Sequence, residues 1–131
     1  MERPAATNDM LFDAVCDLLQ KGHRKKPHHT PLDTINRLFQ KHLKGEPKIA
    51  DNPPWLTSQN TLVTQETRSK QEFAKLANPV GGARDCEHPI VIVRYRGMDC
   101  LLDGNHRSRA WLASTDMSEH TAYVLIVQQP S

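Results

Sequence analysis

No apolar stretch in this chain is long enough to cross a bilayer, which takes about 20 consecutive apolar residues in helical form. Residues 1–7 have neither the basic start nor the apolar run of a secretory signal, so the sequence predicts a cytoplasmic protein with no membrane partner, with export by a route that needs no cleaved signal as the open alternative. Cysteine is scarce. Cys16, Cys86 and Cys100 are odd in number, widely spaced and never arranged as CxxC, which argues for buried or free thiols and against a disulfide framework. His88, His120, Cys86 and Cys100 match no zinc spacing, so no zinc centre is expected. An excess of either charge is nearly lacking too: 17 Lys and Arg stand against 15 Asp and Glu, and the net +2 does not argue for a nucleic-acid binder. Internal repeats are absent.

What is present is enough for one ordinary domain. The 131 residues can bury a single core, and a hydrophobic content of 37% predicts generous loops around it. The charge is unevenly placed, with nine Lys and Arg against six Asp and Glu in residues 1–50 and eight against nine in 51–131. The basic excess gathers at Lys21, Arg24, Lys25 and Lys26, beside His23, His28 and His29. Such a run can touch nucleic-acid phosphates, but no aromatic residue interleaves for base stacking, and a solvated loop is the favoured reading.

The N-terminal third, residues 1–50, reads as a two-helix extension. Met10, Leu11, Ala14, Val15, Leu18 and Leu19 recur at helical spacing, with Thr7 or Asn8 as cap and Gly22 as stop. Thr30-Pro31-Leu32-Asp33 then sets a capping hydroxyl, a first-turn proline and an acidic residue in the favoured order, and Ile35, Leu38, Phe39, His42 and Leu43 form one stripe. Residues 21–30 are too many for a tight helix-turn-helix, so a helical hairpin packed on a sheet is expected, with His42 a structural histidine in its stripe. Residues 46–60 read as an extended, proline-rich connector, with Trp55 stapling it to the core.

Residues 51–131 form the expected core. Ile90-Val91-Ile92-Val93 and Leu125-Ile126-Val127 are β-branched or apolar runs suited to strands buried on both faces, and Arg94-Tyr95-Arg96-Gly97 reads as a strand end and tight turn. The class is α+β, a small mixed sheet with packed helices. Its most informative stretch is Leu101-Leu102-Asp103-Gly104-Asn105-His106-Arg107-Ser108-Arg109, where an apolar strand runs through a glycine turn into a helix. A helix N-terminus offers unpartnered N–H groups and partial positive charge to an anion, and His106, Arg107 and Arg109 add donors. The plain alternative is a strand-to-helix junction with a solvated basic face.

The order of pieces over residues 60–128 resembles the ParB/sulfiredoxin superfamily. The pieces are a strand at 61–66, a helix at 69–77, a proline-led strand at 89–95, a strand at 98–102, the Gly104-Asn105-His106-Arg107 turn with its helix to Ala113, and a last strand at 122–128. The turn is similar to the Gly-x-His-Arg turn of sulfiredoxins, but Asn105 stands where their catalytic cysteine lies. An amide cannot be a thiolate nucleophile, so sulfinic-acid reduction is not carried over.

What the resemblance implies is a nucleotide site for ATP or a related nucleotide, with Mg²⁺, at Gly104, Asn105, His106, Arg107, Ser108 and Arg109. Glu66, Asp103 and His106 are then the candidates for acid–base or metal-holding roles in an NTPase or small-molecule phosphotransferase; the plainer readings are that Glu66 pairs with Arg68 or Lys70 at a strand end, that Asp103 forms the turn, and that His106 donates to phosphate or locks the turn through a backbone carbonyl. The alternatives are a DNA-associated ParB-like regulator or nuclease, and a non-catalytic adaptor on the same fold. Partition-type ParB proteins carry a helix-turn-helix domain after this core, and only a few residues follow Val127 here.

Overall fold

The computed structural model describes residues 7–22, 31–43, 54–76, 89–115 and 118–128. Its elements are α1 (Asn8–Gly22), α2 (Pro31–Leu43), β1 (Thr61–Ser69), α3 (Lys70–Ala74), β2 (Ile90–Tyr95), β3 (Met98–Asp103), α4 (Asn105–Ala113) and β4 (Glu119–Val127). The four strands form one sheet in the order β1-β4-β2-β3. β1 and β3 run antiparallel to their neighbours, whereas β2 and β4 run parallel, so the sheet is mixed.

The two central strands are the apolar ones, as their composition requires. Ile90, Val91, Ile92 and Val93 are all buried, because β2 has strands on both sides and helices over both faces. One face, carrying Val63, Val91, Val93, Tyr95, Leu102, Leu125 and Val127, packs on Phe12, Val15, Cys16 and Leu19 of α1 and Ile35 and Phe39 of α2. The other, carrying Ile90, Ile92, Leu101, Ala122 and Val124, packs on Phe73 and Ala74 of α3 and Trp111 of α4. The helical pair thus shares a core with the sheet, the arrangement expected of a hairpin laid on it.

Several boundaries differ from the sequence reading. β1 continues to Ser69, three residues beyond the expected 66, and α3 spans Lys70–Ala74 instead of 69–77. Pairing with β4 explains the extension, since the ladder runs unbroken from Thr61 opposite Val127 to Ser69 opposite Glu119. The same pairing starts β4 at Glu119, ahead of the expected 122. Trp55 does not staple the connector, for it is 49% exposed, while the neighbouring Leu56 is fully buried. The extended connector turns its odd and even side chains to opposite sides, and only one of the two can face the core.

Two asparagines fix that connector and the sheet edge. Asn36 on α2 donates to the carbonyls of Leu32 at 3.1 Å and Leu56 at 3.0 Å, and accepts from the Leu56 N–H. Asn8 does not cap α1; Thr7 accepts from Met10 N–H there at 3.2 Å. The Asn8 amide instead donates to Ser58 and Thr61 carbonyls and accepts from Val63 N–H at 2.8 Å, imitating a neighbouring strand at the start of the β1 edge. β2 and β3 meet through Arg96 and Gly97, with φ of 52° and 77°, the positive pair that a two-residue type I′ hairpin demands. Residues 23–30, with the Thr30 cap and most of the basic run, lie outside the described residues, as do the side chains of Lys21 and His42.

Candidate functional site

The strand-to-helix turn is built as the sequence reading placed it. β3 ends at Asp103, Gly104 turns the chain with φ 105° and ψ 18°, and α4 opens at Asn105 with no side chain capping it and no acidic residue in its first turn. A left-handed φ of this size suits glycine alone. Space demands glycine as well: a Cβ at position 104 would stand 2.5 Å from Cγ2 and 2.9 Å from Cβ of Ile90. The close approach that Gly104 permits is therefore made first to the start of β2.

On the first turn of α4, Arg107 is 4% exposed and Ser108 fully buried. The Ser108 N–H donates to the Gly104 carbonyl at 2.8 Å, but among the described residues its hydroxyl, and the indole N–H of Trp111 one turn on, have no hydrogen-bond partner. Buried polar groups are rarely left so. Arg109 is partly exposed, and the side chains of Asn105 and His106 lie outside the described residues. Asp103 is partly exposed beside the turn, where a carboxylate can meet a cation riding on phosphate oxygens.

Glu66 stands on the same sheet face as α4. It pairs with Ala122, which pairs in turn with Ile90, the residue beneath Gly104. Two strand spacings, about 10 Å, separate the Glu66 and Ile90 backbones. The carboxylate is already engaged, however: Arg94 donates to Oε1 at 2.9 Å and to Oε2 at 3.3 Å, and Arg68 lies 3.1 Å from Oε2. Arg94 also holds Asp99 through Nε at 2.7 Å and Nη2 at 3.1 Å. The hydrogen bonds that Arg94 donates to Asp99 and then to Glu66 raise its pKa, so this guanidinium stays charged.

Sequence reasoning reached the Glu66–Arg68 pair as the plainer role of that carboxylate, but it missed Arg94 and Asp99. The signal was present in Arg94, a charge at the end of an apolar strand, and Asp99, its partner across the hairpin once Arg96-Gly97 is taken as a two-residue turn. The bond to Glu66 had no such signal, because it depends on β4 lying between β1 and β2.

A cleft of about 550 Å³ opens on the opposite face of the sheet, lined by Phe12, Asp13, Cys16, Asp17 and Leu32 with residues 57–59. Burial, and then the charges of Asp13 and Asp17, push the Cys16 thiol up from 9.0 to about 12. Thiolate is the reactive form, so three pKa units remove about a thousandfold of it near neutral pH. Native protein treated with iodoacetamide is therefore expected to alkylate Cys16 only after unfolding, read by peptide mass mapping. Rapid labelling of Cys16 in the folded chain would show that the cleft delivers reagent and base to the sulfur.

Among the described residues no three His, Cys, Asp or Glu side chains gather as a metal site, and no helix is long and apolar enough to cross a membrane. No family model, curated protein or solved structure matches this chain.

Proposed function

We propose that this chain is a nucleotide- or phosphate-binding protein of the ParB/sulfiredoxin type, with its anion site at the N-terminus of α4. The observation that carries the reading is the uncapped start of α4 after a left-handed Gly104, with the fully buried Ser108 hydroxyl on its first turn, which has no partner among the described residues. Side chains on a helix lean toward its N-terminus, which tilts that hydroxyl toward the place where an anion would be held. Arg107 would supply the charge and Asp103 a contact to Mg²⁺.

Binding without Glu66-driven catalysis is the better-supported form of the proposal. Arg94 and Arg68 already hold the Glu66 carboxylate through three short contacts, so a role at the α4 turn would mean giving up that cluster.

Calorimetric titration with ATP, ADP and CTP in the presence of Mg²⁺ tests the reading directly. Arg107→Ala is a poor probe, since removing a buried arginine also disturbs the fold. Ser108→Ala is clean. It deletes a buried hydroxyl that has no partner among the described residues, so stability should hold or rise slightly, whereas a lost bond to phosphate of roughly 1.5–3 kcal/mol would weaken affinity about 10- to 100-fold. A wild-type chain that binds none of the three nucleotides, nor inorganic phosphate, removes the proposal.

A further inference from the structure

β1 is an outer strand, and its free edge is neither short nor broken by proline or a bulge. Exposed edges of that kind pair with other strands unless something blunts them. The Gln128 N–H bonds the Asn60 carbonyl, so the even residues of β1 face β4 and the odd ones present their backbone groups outward. Of those outward groups, Asn8 takes the Thr61 carbonyl and the Val63 N–H, and the Ser69 carbonyl serves the helix that Ser69 caps. What remains is the Val63 carbonyl, both groups of Gln65, both groups of Thr67 and the Ser69 N–H. None of these has a partner among the described residues.

That remainder is self-complementary. We propose that the β1 edge pairs antiparallel with the β1 edge of a second copy of this chain, with Glu66 opposite Glu66 at the two-fold axis. In this register Gln65 of one copy pairs with Thr67 of the other in both directions, and each Ser69 N–H meets a Val63 carbonyl. All six free groups of each edge are used, and the two positions that would clash for want of a donor or acceptor, Val63 N–H and Ser69 C=O, are the two already satisfied internally. A shift of two residues either way places an available group against one of the spent ones.

Charge fits the same register. The two Glu66 carboxylates would repel alone, but each carries Arg94 and Arg68 of its own copy, and Arg68 of the other copy lies diagonally opposite, within reach of a long side chain. Leu62, 41% exposed on that face, is brought beside the start of α3 of the second copy and loses its exposure.

Sedimentation velocity from micromolar to near-millimolar concentration should show a monomer–dimer equilibrium. Gln65→Pro deletes one outward N–H on a free edge, where proline is tolerated, and should shift the chain to monomer with its circular dichroism unchanged. Register is read separately. Residues opposite one another at a non-hydrogen-bonded pair have closely spaced Cβ atoms, so Glu66→Cys should form a disulfide-linked dimer on mild oxidation, whereas Thr64→Cys, set against Arg68, should not. A wild-type chain that stays monomeric throughout overturns the proposal. So does a dimer that survives Gln65→Pro, or one that crosslinks at position 64 and not at 66.

Discussion

Gly104→Ala is expected to destabilise the fold by about 2–4 kcal/mol, combining backbone strain at positive φ with overpacking against Ile90. For a chain of 131 residues that is a fall in Tm of roughly 8–15 °C. Two causes act at this position, and they can be separated. Asparagine tolerates left-handed backbone better than alanine does, so if conformation alone mattered Gly104→Asn would recover much of the loss. Its Cβ meets the same atoms at 2.5 and 2.9 Å, so it should fare no better. Ile90→Ala removes the nearer of those atoms, and a double-mutant cycle with Gly104→Ala should return a favourable coupling of about 1 kcal/mol or more. Thermal melts and urea titrations of the four proteins give these numbers. A Gly104→Ala chain within about 0.5 kcal/mol of wild type would mean that the turn relaxes away from β2.

The consequence reaches the proposed anion site. Because Ile90 occupies the inner side of Gly104, the glycine is needed for the sheet and α4 to meet whether or not a ligand binds. Loss of binding in a Gly104 variant thus proves nothing about contact with phosphate, and the Ser108 hydroxyl, which bonds no other group among the described residues, is the sharper probe.

Much of the frame was legible. The β-branched runs at 90–93 and 125–127 declared the buried central strands because only a two-sided strand can afford no polar residue. Helical periodicity placed α1 and α2, and glycine marked the turn at 104. What stayed hidden depended on partners distant in the chain. The length of β1 is set by nine paired residues of β4, and the clamp of Arg94 on Glu66 crosses that strand. Asn8 and Asn36 read as an optional cap and a polar position on an amphipathic helix. Their true roles, on the β1 edge and on Leu56, required backbone groups 53 to 55 and 20 residues away.

Asn36→Ala should be the most damaging change of a polar residue in the N-terminal half, costing about 3–5 kcal/mol. The side chain is fully buried and makes three hydrogen bonds, two of them to the backbone of Leu56, itself fully buried. Truncation removes those bonds and also strands the Leu56 N–H and C=O away from water, each at a cost of about 1–3 kcal/mol, with a small cavity added. Asn36→Leu fills the volume and leaves the same two groups orphaned, so packing alone cannot rescue the site. Asn36→Asp keeps the acceptor for Leu56 N–H but places a carboxylate against the Leu32 and Leu56 carbonyls. Burial and those carbonyls raise the folded-state pKa of such an acid, so this variant should be most stable at low pH, where it is protonated and donates, and should lose stability as pH rises through the folded-state value. Urea denaturation at acid and neutral pH measures the three variants, and hydrogen exchange at Leu56 reads the bond itself. In the wild type that amide should exchange near the global unfolding rate; in Asn36→Ala it should exchange by local opening of the connector from α2. A protected Leu56 amide in the alanine variant, with a stability loss under about 1 kcal/mol, would show that an ordered water replaces the asparagine and that the clamp is not what holds the helical pair to the sheet.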